Sequence, residues 1–114
     1  MNDIVLAIHR LQARFARIMY VDLDVHHGDG VEEAFSCTNR VLTLSIHRHD
    51  PGFFPGTGTA GDVGFGRGRN FAVNVPLKEG VDDVMFQQIF DRIVCRAVDK
   101  FRPEVIVVQV RLFI

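Results

Sequence analysis

Cysteine is scarce in this 114-residue chain, with only two in the sequence. Cys37 and Cys95 stand far apart, without CxxC spacing or a second pair, so neither a disulfide framework nor a cysteine-type zinc site is expected. Both are read as inert, reduced thiols. An excess of either charge is also missing. Thirteen Lys and Arg against fourteen Asp and Glu leave a net charge of −1 with no long single-sign block, which excludes the basic footprint of a nucleic-acid or anionic-membrane binder. Long apolar runs are absent too. The stretch Val105 to Val108 falls far short of the ~18 residues that span a bilayer, and the N-terminus lacks the charged-then-apolar order of a signal peptide. The expectation is an intracellular chain with no direct nucleic-acid partner and no membrane partner. No internal repeat or low-complexity linker divides it. At 12.9 kDa and 47% hydrophobic, it reads as one small domain or a piece of a larger one.

Periodicity supplies the elements. Ile4, Ile8, Leu11 and Phe15 follow the spacing of one helical face, with Arg10, Arg14 and Arg17 turned elsewhere. Ile18 to Leu23 is a β-rich apolar run ending in acidic residues, and Val41 to Ile46 is a second. Between them, Val31 to Phe35 has room for one or two helical turns. Asp50 to Asn70 holds most of the chain's 10 glycines and two prolines, which predicts a long loop, and a loop of that length is usually functional. Phe71 to Val75 reads as a third strand stopped by Pro76. A helix then starts at Asp82 or Asp83, carries Phe86, Ile89, Ile93, Ala97 and Phe101 on one side, and is closed by Pro103. The last strand, Val105 to Val110, is so nearly continuously apolar that helices are expected over both of its faces. The resulting fold class is α/β, with a mostly parallel sheet flanked by helices.

The densest chemistry lies at Tyr20 to Gly30, YVDLDVHHGDG, where Asp22, Asp24 and Asp29 crowd against His26 and His27 at the end of a strand. In open parallel sheets that end is where ligands bind. Residues two apart on an extended strand point the same way, so Asp22, Asp24 and His26 project together as a partial chelate. Carboxylates this close repel one another, and a divalent cation offsets the repulsion directly. Mixed oxygen and nitrogen donors favour zinc or another first-row divalent ion over calcium. The blander reading makes them capping and turn residues, but capping requires one acidic residue, not three.

Several other signals are read as structural. Gly56 to Gly61 satisfies G-x-G-x-x-G by letter, yet it follows Pro55, has no strand before it and no helix after it, so no dinucleotide site is expected. His9 is read as a surface histidine. His47, Arg48 and His49 are read first as solvated loop residues and second as part of a substrate rim. Arg67 and Arg69 are read as solvated.

YVDLDVHHGDG, followed by VLTLSIHRHDPGFFPGTG and later by NFAVNVPL, resembles the zinc-dependent histone deacetylases, nearest the class I type, within the arginase-like deacetylase fold. The likeness runs from about Asn2 to Gln109. Acetylpolyamine amidohydrolases and bacterial acetoin-utilisation proteins share parts of the pattern, so a polyamine substrate stays open beside acetylated histones and other acetyl-lysine proteins. The resemblance implies that residues 1–114 are the central part of a deacetylase catalytic domain, incomplete at both ends. It implies that Asp24 and His26 are two of three zinc ligands, the third falling beyond Ile114. Asp22 and Asp29 match carboxylates that orient tandem active-site histidines, which would precede Met1. Phe53 and Phe54 match the wall of a tunnel for the acetyl-lysine side chain. Potassium is implied at Asp22, Asp24, His26, Ser45 and Ile46, and a second monovalent site at the carbonyls of Phe35, Thr38, Val41 and Phe71.

The chemistry so implied is amide hydrolysis: zinc polarises the acetyl carbonyl and a water, and a histidine takes the water's proton. Nuclear or cytoplasmic placement, chromatin regulation through transcription repression and a corepressor complex are borrowed from the family likewise. Two expectations follow. The 114 residues alone lack the general base and have no measurable amidase activity, and they bind zinc weakly. A non-enzyme reading keeps the chain as a truncated product acting as a binding or interfering module.

Overall fold

In the computed structural model, which describes residues 3–23, 29–48, 60, 63–77 and 80–110, four strands form one sheet in which every pairing is parallel. The elements run α1 (Asp3–Leu11), β1 (Ile18–Leu23), α2 (Asp29–Ala34), β2 (Val41–Arg48), a single 3-10 turn at Gly66–Gly68, β3 (Ala72–Leu77), α3 (Asp83–Phe101) and β4 (Val105–Val110). The strand order is β3-β2-β1-β4. The chain therefore walks outward from β1 through β2 to β3, then crosses back to the opposite side of β1. With right-handed crossovers, that reversal sends α2 and α3 to opposite faces of the sheet.

One face carries α1 and α2. Ile18, Tyr20 and Val41 meet Ile8, Val31 and Phe35 there, with Ile4, Leu11 and Phe15 packed around them. Ile8 is fully buried, as the spacing of the first helix predicts. The other face carries α3. Met19, Val21, Leu42 and Leu44 lie under Phe90, Ile93, Val94, Ala97, Val98 and Phe101. Asp82 caps α3 by accepting from the Met85 backbone N–H at 2.8 Å, and Arg102 ends it in the left-handed conformation at φ 51°.

Three strand-level expectations need correction. β2 continues past Ile46, so His47 and Arg48 belong to a strand and not to a loop. Pro76 does not stop β3, which runs to Leu77. As β3 is an edge strand, half of its backbone faces no ladder, and a missing N–H is tolerated there. Finally, β4 is not covered on both faces. Its residues alternate between half-buried and exposed, with Ile106, Val108 and Val110 facing outward at 47, 56 and 57%. As the other edge strand, it lies beyond the reach of α3.

Candidate functional site

The order β3-β2-β1-β4 places the reversal of winding between β1 and β4, and the crevice at the carboxyl end of such a pair is where an open parallel sheet binds ligands. Asp22 sits there, one residue from the end of β1 and only 3% exposed. Asp24 and His26, the zinc ligands implied by the resemblance, follow it immediately in sequence and lie outside the described residues. So do Phe53, Phe54, His49 and most of the Gly56 to Gly61 segment. Asp29 opens α2, its side chain lying outside the described set. Among the described residues, no group of three His, Cys, Asp or Glu is placed to hold a metal ion.

Register shows what surrounds Asp22. It pairs with Ser45 on β2 and Gln109 on β4, and Ser45 pairs in turn with Asn74 on β3. Asn74, Ser45, Asp22 and Gln109 thus form one polar row across all four strands near their carboxyl ends. The buried polar side chains Asp22, Thr43, Ser45, His47 and Asn74 all fall on the same face of the sheet, the face that carries α1 and α2. Buried polar groups need partners, and each side chain of this row has at least one, although Asp22 Oδ1 and Asn74 Oδ1 accept no hydrogen bond among the described residues. The Tyr20 hydroxyl lies 3.0 Å from Asp22 Oδ2 and 2.6 Å from Gln109 Oε1. Ser45 Oγ and His47 Nδ1 are 2.9 Å apart. The Asn74 side-chain amide donates to Glu32 Oε1 of α2 at 2.5 Å. The sheet is greasy behind and polar at its mouth on one side, an arrangement that suits a cation or polar ligand held at the mouth.

His47 is a second correction. Instead of a solvated loop residue it is 1% exposed and bonded within the polar row. Ile46, implied in the potassium shell, has its side chain buried on the opposite face. His9 is exposed as expected, with Nδ1 3.1 Å from Gln12 Oε1 and its ring against Phe35. Cys37 and Cys95 are free, and both are exposed instead of buried.

The segments that carry the residues implied for a second monovalent site, Phe35, Thr38, Val41 and Phe71, are joined at the opposite end of the strands. Val41 starts β2, and the Phe71 carbonyl accepts from Thr43 N at 2.9 Å. The turn from Phe35 to Thr38 is joined to the 63–71 segment where Phe65 N donates to the Ser36 carbonyl at 2.8 Å. Gly68 closes this junction: a Cβ there would overlap the Ser36 carbonyl oxygen and come within 2.7 Å of Thr38 N. Sequence reasoning missed Tyr20, Gln109, Asn74 and Glu32. The signal was present for two of them, since Tyr20 lies two residues before Asp22 and Gln109 is the one polar break in VIVVQV.

Residues 1–110 match the family model of the histone deacetylase domain. Histone deacetylase 8 of Xenopus tropicalis is 50% identical over 109 residues, which make up 96% of this chain and 30% of that protein. Histone deacetylase RPD3 of Saccharomyces cerevisiae is 48% identical over 109 residues, 25% of its length. Histone deacetylase 1 of Homo sapiens is 47% identical over 108 residues, 22% of its length. The chain spans between 22 and 30% of the length of these relatives.

Proposed function

The chain belongs to the histone deacetylase family, and from that premise we propose that it forms the zinc-facing strand ends of an enzyme that removes acetyl groups from lysine in histones or other proteins. The observation that supports this most is a coincidence of topology and chemistry. The place where the sheet reverses its winding is also where β1 ends, and the acidic and imidazole residues follow that end in the sequence. Buried Asp22 gives that mouth a fixed carboxylate, and a cation there is favoured by the low dielectric around it.

In this reading Asp24 and His26 hold zinc, with a third carboxylate supplied from outside these residues. When bound, zinc supplies Lewis acidity toward the acetyl carbonyl and a water. Asp22 and Asp29 orient histidines that take and return the proton. Phe53 and Phe54 flank the acetyl-lysine stem, whose neutral methylene chain is better matched to rings than a charged lysine is. Ser45, with Asp22, Asp24, His26 and Ile46, holds potassium, and the carbonyls of Phe35, Thr38, Val41 and Phe71 hold a second monovalent ion. The parent enzyme acts in the nucleus or cytoplasm, there as a chromatin regulator in a corepressor complex.

The test pairs two proteins. The 114 residues alone should not turn over an acetyl-lysine peptide, whereas a longer protein containing them should do so in a chelator-sensitive way, and His26→Ala should abolish that turnover. Turnover that survives His26→Ala overturns the assignment. Faster turnover of acetylated polyamines than of peptide redirects the substrate.

A further inference from the structure

A single phenol ties the two strands that flank the switch point. Tyr20 is 1% exposed, with its ring among Ile8, Ile18, Val31, Phe35 and Val41, and its hydroxyl reaches both Asp22 on its own strand and Gln109 on β4. A buried tyrosine needs some partner for its hydroxyl, and a backbone carbonyl would serve. This one meets the carboxylate of the candidate site and the polar residue paired with it across the strands.

The proton count makes the tie directional. A phenol has one hydrogen, so two acceptor oxygens at 3.0 and 2.6 Å cannot both receive it in full. A half-turn of the Gln109 carboxamide puts its N–H on the phenol oxygen and leaves the phenol hydrogen for Asp22 Oδ2. That ordering gives the charge-assisted bond, the stronger of the two choices, to the carboxylate. The chain of donation then runs from β4 through Tyr20 to Asp22.

We propose that Tyr20, backed by Gln109, is a positioning residue that fixes the Asp22 carboxylate beside the candidate metal site. The inference rests on the deacetylase reading above, which gives Asp22 its place in the site. Without the tie, the Asp22 carboxylate loses one of the bonds that set its rotamer, while the ladder still pairs Leu23 with Val110. That change disturbs a site whose implied zinc ligands follow Asp22 by two and four residues in the sequence.

The chain supplies its own probe, since Tyr20 is its single tyrosine and it has no tryptophan. A phenol bonded to an ionised carboxylate is quenched, so Asp22→Asn should raise the tyrosine emission of the 114-residue chain. Unchanged emission overturns the tie. In a longer protein that contains these residues and supplies the third ligand, cobalt, standing in for zinc, then reads the site by its visible absorption without any turnover. Tyr20→Phe, which removes the hydroxyl and keeps the ring, should weaken cobalt uptake, by less than the roughly tenfold scale of a group bonded to a zinc ligand itself, because Asp22 stands beside the ligands. Thr43→Val deletes a hydroxyl from the same buried face, beside Tyr20 in register, and should leave cobalt uptake unchanged. An equal loss in Thr43→Val shows a general packing effect and overturns the proposal. If Tyr20→Phe folds poorly, Gln109→Met reads the same tie from β4, with a smaller loss in the same direction expected and no loss overturning it. Uptake indifferent to Tyr20→Phe defeats the positioning role alone, whereas a longer protein containing these residues that takes up no cobalt defeats the deacetylase reading and this role together.

Discussion

Arg40 does with one exposed side chain what a helix end otherwise needs several groups to do. Its guanidinium donates to the carbonyls of Gln12 at 2.7 Å, Phe15 at 3.1 Å and Ala16 at 3.3 Å, gathering the turn that follows α1. Orphan carbonyls and the negative end of the helix dipole both favour a cation there. Arg40→Ala is therefore expected to cost about 1–2 kcal/mol, read as a lowered midpoint in urea, and Arg40→Lys to recover only part, since an ammonium cannot fork across three oxygens. Gly68 makes the opposite kind of demand, for no side chain at all. Gly68→Ala drives a methyl into the Ser36 carbonyl and should destabilise by about 1–3 kcal/mol, with amide exchange quickening in residues 35–38 and 63–71 first. At this scale the sequence was uneven as a guide. Asp22 stood out because carboxylates and imidazoles crowd around it. Tyr20 and Gln109 did not, because what makes them matter is the register between β1 and β4, a contact across 89 positions that no local spacing encodes.

Local pattern carried much further among the elements. The i, i+4, i+7 spacing of Ile4, Ile8 and Leu11 located α1, and the same arithmetic found part of the face of α3: Ile93, Ala97 and Phe101 pack on the sheet together with Phe90, Val94 and Val98, whereas Phe86 and Ile89 are not among the residues packed there. Asp82 before an apolar run marked the start of α3 correctly. The misses are where tertiary placement overrides local preference. Pro76 is a strand breaker on local grounds, yet β3 passes through it because its outer side has no ladder to break. His47 looks like loop chemistry, yet β2 carries it into a buried polar row that pays for its burial with Ser45. Two element-level outcomes follow. Ile8→Ala removes the fully buried contact of α1 and should cost about 2–5 kcal/mol in chemical denaturation. Asp82→Ala removes the cap from α3 and should cost about 1 kcal/mol, with Asp82→Asn losing little. Equal losses for both Asp82 variants would show that charge, not the capping bond, is what the helix end uses.

For the molecule as a whole, the decisive fact is that α3 covers β1, β2 and β3 and leaves β4 bare on that face. Ile106, Val108 and Val110 point outward in line, and among the described residues no strand pairs with the outer side of β4. An apolar strip along an unpaired edge combines the two features that natural sheets avoid, an open backbone ladder and a sticky face. Every relative compared is much longer than this chain, so the same strip has more protein available to cover it there. The 114 residues alone should therefore self-associate as concentration rises, which sedimentation at two concentrations would detect. Val108→Lys places a charge at the centre of the strip, on the solvent side of the strand. It should return the chain to its monomer mass while changing the melting temperature by only a few degrees, because no buried contact is lost. In a longer protein whose remaining residues cover the strip, the same lysine would be buried unpaired and should destabilise instead. The sign of the Val108→Lys effect thus reports which surface this is. A loss of stability in the 114 residues alone, with no change in sedimentation, would mean that the strip is already covered by this chain's own residues.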